Sequence, residues 1–170
     1  MKRKKHLWYR VIAVLAIGIG GALGAETVDT FSGLPASDSL RVRFVSNGCF
    51  HSANYEFVFS GSSPRSVSVF ALAGQRAAAK NSVLREDLGQ VGLTDSDLKG
   101  LDALLRFYRS GATGGCTTVD SIEISQVSGD KTVRTERFSD HSCRTYEMQE
   151  LTTFPEIVRR AQAKRNAAGS

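Results

Sequence analysis

Three segments between residues 40 and 73 alternate apolar and polar side chains with a period of two, and this pattern limits the fold more than any other feature. In LRVRFV, Leu40, Val42 and Phe44 alternate with two arginines, which is typical of a strand buried on one side. NYEFVF and SVSVFALA continue the alternation, and GSSP at 61–64 predicts a turn between them. We therefore expect three consecutive strands with short connections.

A second pattern, in LTDSDLKGLDALLRFYRSG at residues 93–111, predicts an amphipathic helix. Thr94 fits the N-cap position because Asp97 follows three residues later, and Gly111 lies where the helix should end. One stripe of this helix is apolar and contains Leu98, Leu101, Leu104, Leu105 and Tyr108. A helix with such a stripe can lie on a sheet.

The C-terminal segment TTFPEIVRRAQAKR predicts another helix. Thr153 is suited to the cap, Pro155 to the first turn and Glu156 to the third helical position. Four basic residues follow, and the helix dipole favours cations toward this end of a helix: Arg159, Arg160, Lys164 and Arg165.

A hairpin is predicted where CTTVDSIEISQV and TVRTERFSD flank Ser128-Gly129-Asp130-Lys131. If Gly129 and Asp130 form a two-residue loop, the numbers of opposed residues sum to 259, and a three-residue loop changes the sum to 260. Cys116 and Cys143 should then face each other at a Cα separation of ~4.5 to 5.5 Å, which suits a disulfide. This bridge would stabilise the fold by about 3 to 4 kcal/mol through loop closure.

The order of these elements predicts an α+β fold, with an antiparallel sheet of about five strands and helices packed on one face. We expect β-β-β-α-β-β-α, with an additional short helix from Ser82 to Leu88 closed by Gly89. The domain should occupy residues 39–168. Residues 26–38 are polar and contain glycine and proline, so we expect a flexible tether there.

The N-terminus has the pattern of a secretory signal peptide. Four basic residues between positions 2 and 5, followed by Arg10, precede an uncharged stretch from Val11 to Ala25 that ends in small residues. We predict cleavage near Gly24 or Ala25 and a periplasmic or secreted chain. Signal peptidase prefers a small residue at the third position before the cleavage point, and for cleavage after Ala25 this position holds Leu23. An uncleaved N-terminal anchor is therefore the alternative. In that case the protein would contact a membrane only through this anchor.

The charge of the chain changes when the signal is set aside. Five of the 22 Lys and Arg residues lie in residues 1–25, which contain no Asp or Glu, so the remaining chain carries 17 basic and 17 acidic residues. Nucleic-acid binding needs a basic surface, and we expect no nucleic-acid partner. We also expect no cofactor, because the glycines at 111–115 end a helix and begin a strand, the reverse of a phosphate-binding loop.

The loop before the second strand resembles a motif of an uncharacterised family of small extracytoplasmic bacterial domains, Gly-Cys-Phe-Gly-x-Cys-Pro-x-Tyr. The resemblance extends from about Arg41 to Ala161 and rests on Gly48, Cys49, Phe50 and Tyr55. Ala53-Asn54 replaces Cys-Pro, and Tyr55 comes one residue early, so no cysteine pairing is available inside this loop. The resemblance implies a fold and a compartment, and no activity.

Cys49 and His51 allow three interpretations. Cys49 is a small buried residue at a strand end, or it pairs with Cys116 or Cys143 in place of the hairpin disulfide. In the third, Cys49-x-His51 and His141-x-Cys143 form a Cys2His2 metal site, because residues i and i+2 of a strand point the same way.

A catalytic role is a further alternative for the polar segment Ser139-Asp140-His141-Ser142. Cys49, His141 and Asp140 are the residue types of a nucleophile, a base and an orienting group. No glycine-flanked nucleophile turn surrounds them, so a polar strand end is the better interpretation.

Size, export and neutral charge favour an exported, non-enzymatic domain that binds a protein or an envelope component, with inhibitor or immunity-type roles as the concrete form. The alternative is a metal-binding protein or a Cys/His-type enzyme centred on Cys49, His51 and His141.

Overall fold

The computed structural model describes residues 30–73, 84–111 and 113–168, so the predicted signal peptide lies outside the described residues. The α+β fold is confirmed, with a six-stranded antiparallel sheet and two helices. The elements are β1 (Asp38–Asn47), β2 (Ser52–Ser60), β3 (Ser63–Leu72), β4 (Arg85–Gly92), α1 (Asp95–Arg109), β5 (Val119–Ser128), β6 (Lys131–Asp140), a short 3-10 helix (Arg144–Tyr146) and α2 (Phe154–Ala168). Within the described ranges, no helix is long and apolar enough to cross a membrane.

The strands are ordered β4-β3-β2-β1-β5-β6, and every neighbouring pair is antiparallel. The predicted alternation in β1 is confirmed, since Leu40, Val42 and Phe44 are buried while Arg41 and Arg43 are exposed. Side chains from this face of the sheet form one core with the apolar sides of both helices. The helices therefore cover the same face, and the opposite face carries Arg41 and Arg43.

Helix α1 begins with the predicted capping box. The Thr94 hydroxyl accepts from the backbone N–H of Asp97 at 3.1 Å, and the Asp97 carboxylate accepts from the N–H of Thr94 at 2.7 Å. The helix ends at Arg109, two residues before Gly111. All five residues of the predicted apolar stripe are buried, which confirms the face that packs on the sheet.

Basic residues of α2 form hydrogen bonds and ion pairs with other elements. A favourable interaction with the helix dipole, as expected from the sequence, did not predict these contacts. Arg160 pairs with Asp97 of α1, with nitrogen–oxygen distances of 2.8 and 3.2 Å, and donates to the carbonyl oxygen of Gly92. Lys164 donates to the carbonyl oxygen of Gln90 at 3.1 Å. These bonds join α2 to the N-terminus of α1 and to the edge strand β4.

The short helix predicted from Ser82 to Leu88 is wrong. Residues 82 and 83 lie outside the described residues, and β4 starts at Arg85. Leu88 is an extra residue in the β3–β4 pairing, which runs from Val69 opposite Gly89 to Phe70 opposite Asp87. This bulge, with Gly89 at φ 99°, turns both Leu88 and Val91 toward the core. Gly89 therefore marks a bulge in a strand and not the end of a helix.

The predicted tether at 26–38 is wrong for residues 30–38, and residues 26–29 lie outside the described ranges. Phe31 and Leu34 are buried, and the Phe31 ring lies 4.7 Å from that of Phe59. The Asp102 carboxylate on α1 accepts from the backbone N–H of Phe31 at 2.6 Å. Two apolar anchors and a buried hydrogen bond thus hold this segment on the core, and β1 already begins at Asp38.

We expect Asp97→Ala to lower the free energy of unfolding by about 1 to 3 kcal/mol, because it removes the capping box and leaves Arg160 without its carboxylate partner. Denaturant unfolding with circular dichroism measures this. The control is Asp95→Ala, two residues earlier in the same turn. There an exposed carboxylate pairs with an exposed arginine, and its loss should have little effect. Equal losses in both variants would contradict the role of Asp97 in joining the helices.

Candidate functional site

A cleft of about 500 Å³ lies at one end of the sheet, where the β1–β2 hairpin, the start of β5, the end of β6 and the first turns of α2 meet. It is lined by Phe44, Ser46, His51, Ala53, Tyr55, Thr118, Cys143, Tyr146, Pro155, Val158, Arg159 and Gln162. Most of the wall is apolar, with a few polar groups. A concave site of this size and composition suits a small ligand.

The cleft arises because the inward faces of β1 and β2 extend past the helical cover. Phe44 and Tyr55 are opposed in the β1–β2 register and face the core side. Helix α2 begins at Phe154 beside them, and its residues Pro155 and Val158 form the facing wall. The wall is therefore built from regular elements.

The tip of the β1–β2 hairpin, residues 48–51, projects beside the cleft. The backbone N–H of Gly48 donates to the carbonyl oxygen of His51 at 3.0 Å and closes the loop. The side chains of Cys49 and Phe50 are exposed, and Phe50 has 101% of its reference surface accessible. A Cβ on residue 48 would lie 2.5 Å from the imidazole of His51, so glycine allows the ring to lie against the loop.

Four polar side chains form a cluster at the inner end of the cleft: Ser46, His51, Asp120 and Tyr146. The Ser46 hydroxyl lies 3.1 Å from Nε2 of His51, and the Tyr146 hydroxyl donates to Oδ2 of Asp120 at 3.0 Å. Ser46 and Asp120 are opposed in the β1–β5 register, and each exposes only 3% of its surface. No donor in the described part of the chain reaches Oδ1 of Asp120.

A second buried carboxylate, Asp140, lies opposite Asp120 in the β5–β6 register. It accepts from the backbone N–H of Ser142 at 2.8 Å and from the Thr145 hydroxyl at 3.4 Å. Burial raises the pKa of Asp120, and the charge of Asp140 adds to this, while the hydroxyl groups of Ser46 and Tyr146 and the charge of His51 act in the opposite direction. The ionised form of Asp120 is therefore less favourable here than in water.

The predicted disulfide between Cys116 and Cys143 is confirmed, with a Cα separation of 5.7 Å. The strand register from which this disulfide was predicted is only partly correct. Opposed residues sum to 259 next to the turn and to 260 after a register shift at Gln126 and Val127. The cysteines lie beyond the ends of the paired strands, where the N–H of Cys116 donates to the carbonyl oxygen of His141 at 2.9 Å.

The structure does not assemble the predicted metal site. Cys143 is in the disulfide and Cys49 is exposed and free, so both the buried interpretation of Cys49 and its pairing with another cysteine are wrong. Nε2 of His141 lies 3.0 Å from the hydroxyl of Ser139. In the described ranges, no three His, Cys, Asp or Glu residues are grouped so that they could hold a metal ion, and this includes Cys49, His51 and His141.

The combination of Cys49, His141 and Asp140 is not assembled either, because Cys49 is exposed at the hairpin tip and Nε2 of His141 lies beside the hydroxyl of Ser139. Ser46 and His51 are the nearest approach to a nucleophile and base. A catalytic histidine also needs an orienting group on its second nitrogen. Among the described hydrogen bonds, the imidazole of His51 has only the one to Ser46.

Sequence reasoning missed Ser46, Asp120 and Tyr146. The signal for the first two was present, because Ser46 continues the inward series that contains Val42 and Phe44, and Asp120 begins the inward series of β5. A polar residue at an inward strand position needs a partner or a function. Tyr146 follows the strands in a short 3-10 helix, and no pattern in the sequence points to it.

No protein-family model matches the chain, and no curated protein sequence matches it. The resemblance of residues 48–55 to the extracytoplasmic family therefore stays a prediction.

We expect Cys116→Ser and Cys143→Ser to lower the free energy of unfolding equally, by about 3 to 4 kcal/mol, because either change opens the same loop. The double variant should be no less stable than either single variant. Denaturant unfolding of the oxidised chain measures these values, and Cys49→Ser is the control that leaves the bridge intact. Additive losses at positions 116 and 143 would contradict a shared bond.

The raised pKa of Asp120 predicts a pH-dependent effect of Asp120→Asn. A carboxyl group that holds its proton more tightly when folded stabilises the fold in acid, and this contribution is lost as the pH rises through its unfolded and then its folded pKa. The free energy of unfolding of Asp120→Asn, relative to the wild type, should therefore be higher at about pH 7 than at about pH 3.

Asp97→Asn is the matched control with the opposite sign. Burial alone would raise the pKa of Asp97, but the hydrogen bonds from Arg160 and Thr94 outweigh burial and lower it. Ionised Asp97 therefore stabilises the fold at a pH above its unfolded pKa, and this stabilisation is lost in acid. The free energy of unfolding of Asp97→Asn, relative to the wild type, should be lowest near neutral pH. Identical pH profiles for the two variants would contradict the environment assigned to Asp120.

Proposed function

We propose that this protein is an exported, non-enzymatic binding domain that contacts its partner through the hairpin tip at residues 48–51. The observation that carries the proposal is the complete exposure of the Phe50 side chain. Covering a phenylalanine side chain contributes about 1.5 to 3 kcal/mol, and aromatic anchors often dominate the energy of protein interfaces.

The hairpin that carries Phe50 is held rigidly. Strands β1 and β2 are paired at nine residue positions, from Ser39 opposite Ser60 to Asn47 opposite Ser52. Strand β1 is also paired along its whole length with β5. Because the scaffold is already ordered, binding at the tip costs little conformational entropy.

The proposed compartment is the periplasm or the exterior. A disulfide persists in oxidising compartments, and the Cys116–Cys143 bridge agrees with the secretory signal predicted in residues 1–25. The resemblance to extracytoplasmic bacterial domains supports the same location. The partner is a protein or an envelope component, in an inhibitor or immunity-type role.

The test is co-purification of the tagged, oxidised chain from the native envelope. We expect a partner retained by the wild type to be lost with Phe50→Ser, because the change removes the exposed aromatic ring and no buried contact. Val133→Ser is the control, since Val133 is a half-exposed apolar residue on β6, and this variant should retain the partner.

The unfolding free energies of the two variants should equal that of the wild type, which separates loss of binding from loss of fold. Retention of the partner by Phe50→Ser would overturn the proposal. So would one zinc or copper ion per purified chain with its thiols protected by the metal, because that result favours the metal-binding alternative centred on Cys49, His51 and His141.

A further inference from the structure

Helix α2 presents one stripe of side chains to the cleft. Pro155, Val158, Arg159 and Gln162 all line it, and residues spaced three or four apart share one face of a helix. Pro155 and Val158 are apolar, and Val158 exposes only 4% of its surface. Arg159 and Gln162 are exposed. This wall of the cleft is therefore apolar toward the start of α2 and ends in two polar side chains.

Arg159 and Gln162 are both hydrogen-bond donors that the protein leaves available. In the described part of the chain, neither side chain has a hydrogen-bond or ion-pair partner. The next arginine of the helix differs, since Arg160 pairs with Asp97. A guanidinium and a side-chain amide three residues apart on a helix are neighbours, and together they can donate to the two oxygens of one carboxylate.

The charges around the cleft favour an anion at this position. Of the described residues that line the cleft, Arg159 alone carries a permanent charge, His51 is the other basic group, and none is Asp or Glu. The carboxylates of Asp120 and Asp140 belong to the sheet, each exposes at most 4% of its surface, and neither lines the cleft. Burial also raises the pKa of Asp120, which disfavours its negative charge.

The apolar lining decides which anion fits. Phe44, Tyr55 and Val158 contribute aromatic and aliphatic surface to the walls. A phosphate group would leave this surface in contact with water, and its two charges would face a single guanidinium. A monocarboxylate with an apolar stem matches both features, because its one charge pairs with Arg159 while its stem covers apolar surface.

We propose that the cleft binds a small organic monocarboxylate, whose carboxylate accepts from Arg159 and Gln162 while its apolar stem lies against Phe44 and Val158. The cleft volume of about 500 Å³ accommodates one such molecule. Its walls belong to strands and a helix, so the site exists before the ligand binds. This inference goes beyond the partner proposed for Phe50 and does not depend on it.

The experiment compares phenylacetate with phenylacetamide, which has the same shape and no charge, and with phenethylamine, which has the opposite charge. NMR titrations of the oxidised, isotope-labelled chain near neutral pH and at constant ionic strength measure the affinities. Phenylacetate should bind about fivefold more tightly than the amide, as a charge-assisted hydrogen bond at an exposed arginine requires, and the amine should bind most weakly. Its chemical-shift changes should centre on the amides of Phe44, Val158 and Gln162. Equal affinities, or shifts elsewhere on the chain, would overturn the proposal.

Variants test the role of the guanidinium. Arg159→Gln removes the charge and should abolish the preference for phenylacetate over phenylacetamide. Arg165→Gln is the matched control, because Arg165 is an exposed arginine of the same helix that pairs with Glu86 and does not line the cleft. This variant should retain the full preference. An unchanged preference in Arg159→Gln, or an equal loss in Arg165→Gln, would overturn the assignment.

A third variant tests the location of the apolar stem. Ala53 lines the cleft and is opposed to Ser46 in the β1–β2 register, so the ring of Ala53→Phe would fill part of the cleft. Binding of phenylacetate and of phenylacetamide should weaken alike, and undiminished binding in the folded variant would overturn the location. Phe50 does not line the cleft, and Phe50→Ser should bind phenylacetate normally. Failure of this inference is therefore distinct from failure of the proposed function.

Discussion

The ion pair between Asp97 and Arg160 fixes how two helices share one face of a six-stranded sheet. Six strands spaced ~4.8 Å apart make a sheet wider than 20 Å, and two helices about 10 Å in diameter are needed to cover it. Asp97 caps α1 and binds α2, while Arg160 also reaches the backbone of β4. This ion pair therefore joins the start of α1, helix α2 and the end of β4.

Much of the fold was predictable from the sequence because its strongest signals are local. The alternation around Val42 and the capping box at Thr94 each depend on neighbours a few residues away. The errors arose where tertiary contacts decide the structure. At Leu88 a bulge changes the period of a strand, and at Phe31 a segment of polar composition is held by a buried ring and by the carboxylate of Asp102.

The candidate site was harder to predict, because its residues come from distant parts of the chain. Cys49 and His51 attracted attention as reactive residue types, yet Cys49 is exposed and His51 contacts Ser46. The buried carboxylate of Asp120 has no motif around it. Its environment depends on β1, on β6 and on a tyrosine in the 3-10 helix. Polar residues at inward strand positions are the general signal that would have identified it, since burial of an unpaired polar group is unfavourable.

The central place of β1 in the sheet affects the order in which the protein can fold. Strand β1 pairs on one side with β2, which follows after a short loop, and on the other with β5, whose paired residues lie 72 to 90 positions away, from Asn47 with Val119 to Asp38 with Ser128. When the chain is synthesised from its N-terminus, the β1–β2–β3 meander can form early. One edge of β1 stays unpaired until residues 119–128 have been synthesised. Closing a loop of that length slows folding and exposes an unpaired strand meanwhile. Arg41 and Arg43 lie on the outer face of β1. If the open edges of two partly folded chains approach each other, these like charges repel, and this opposes association of the chains during folding.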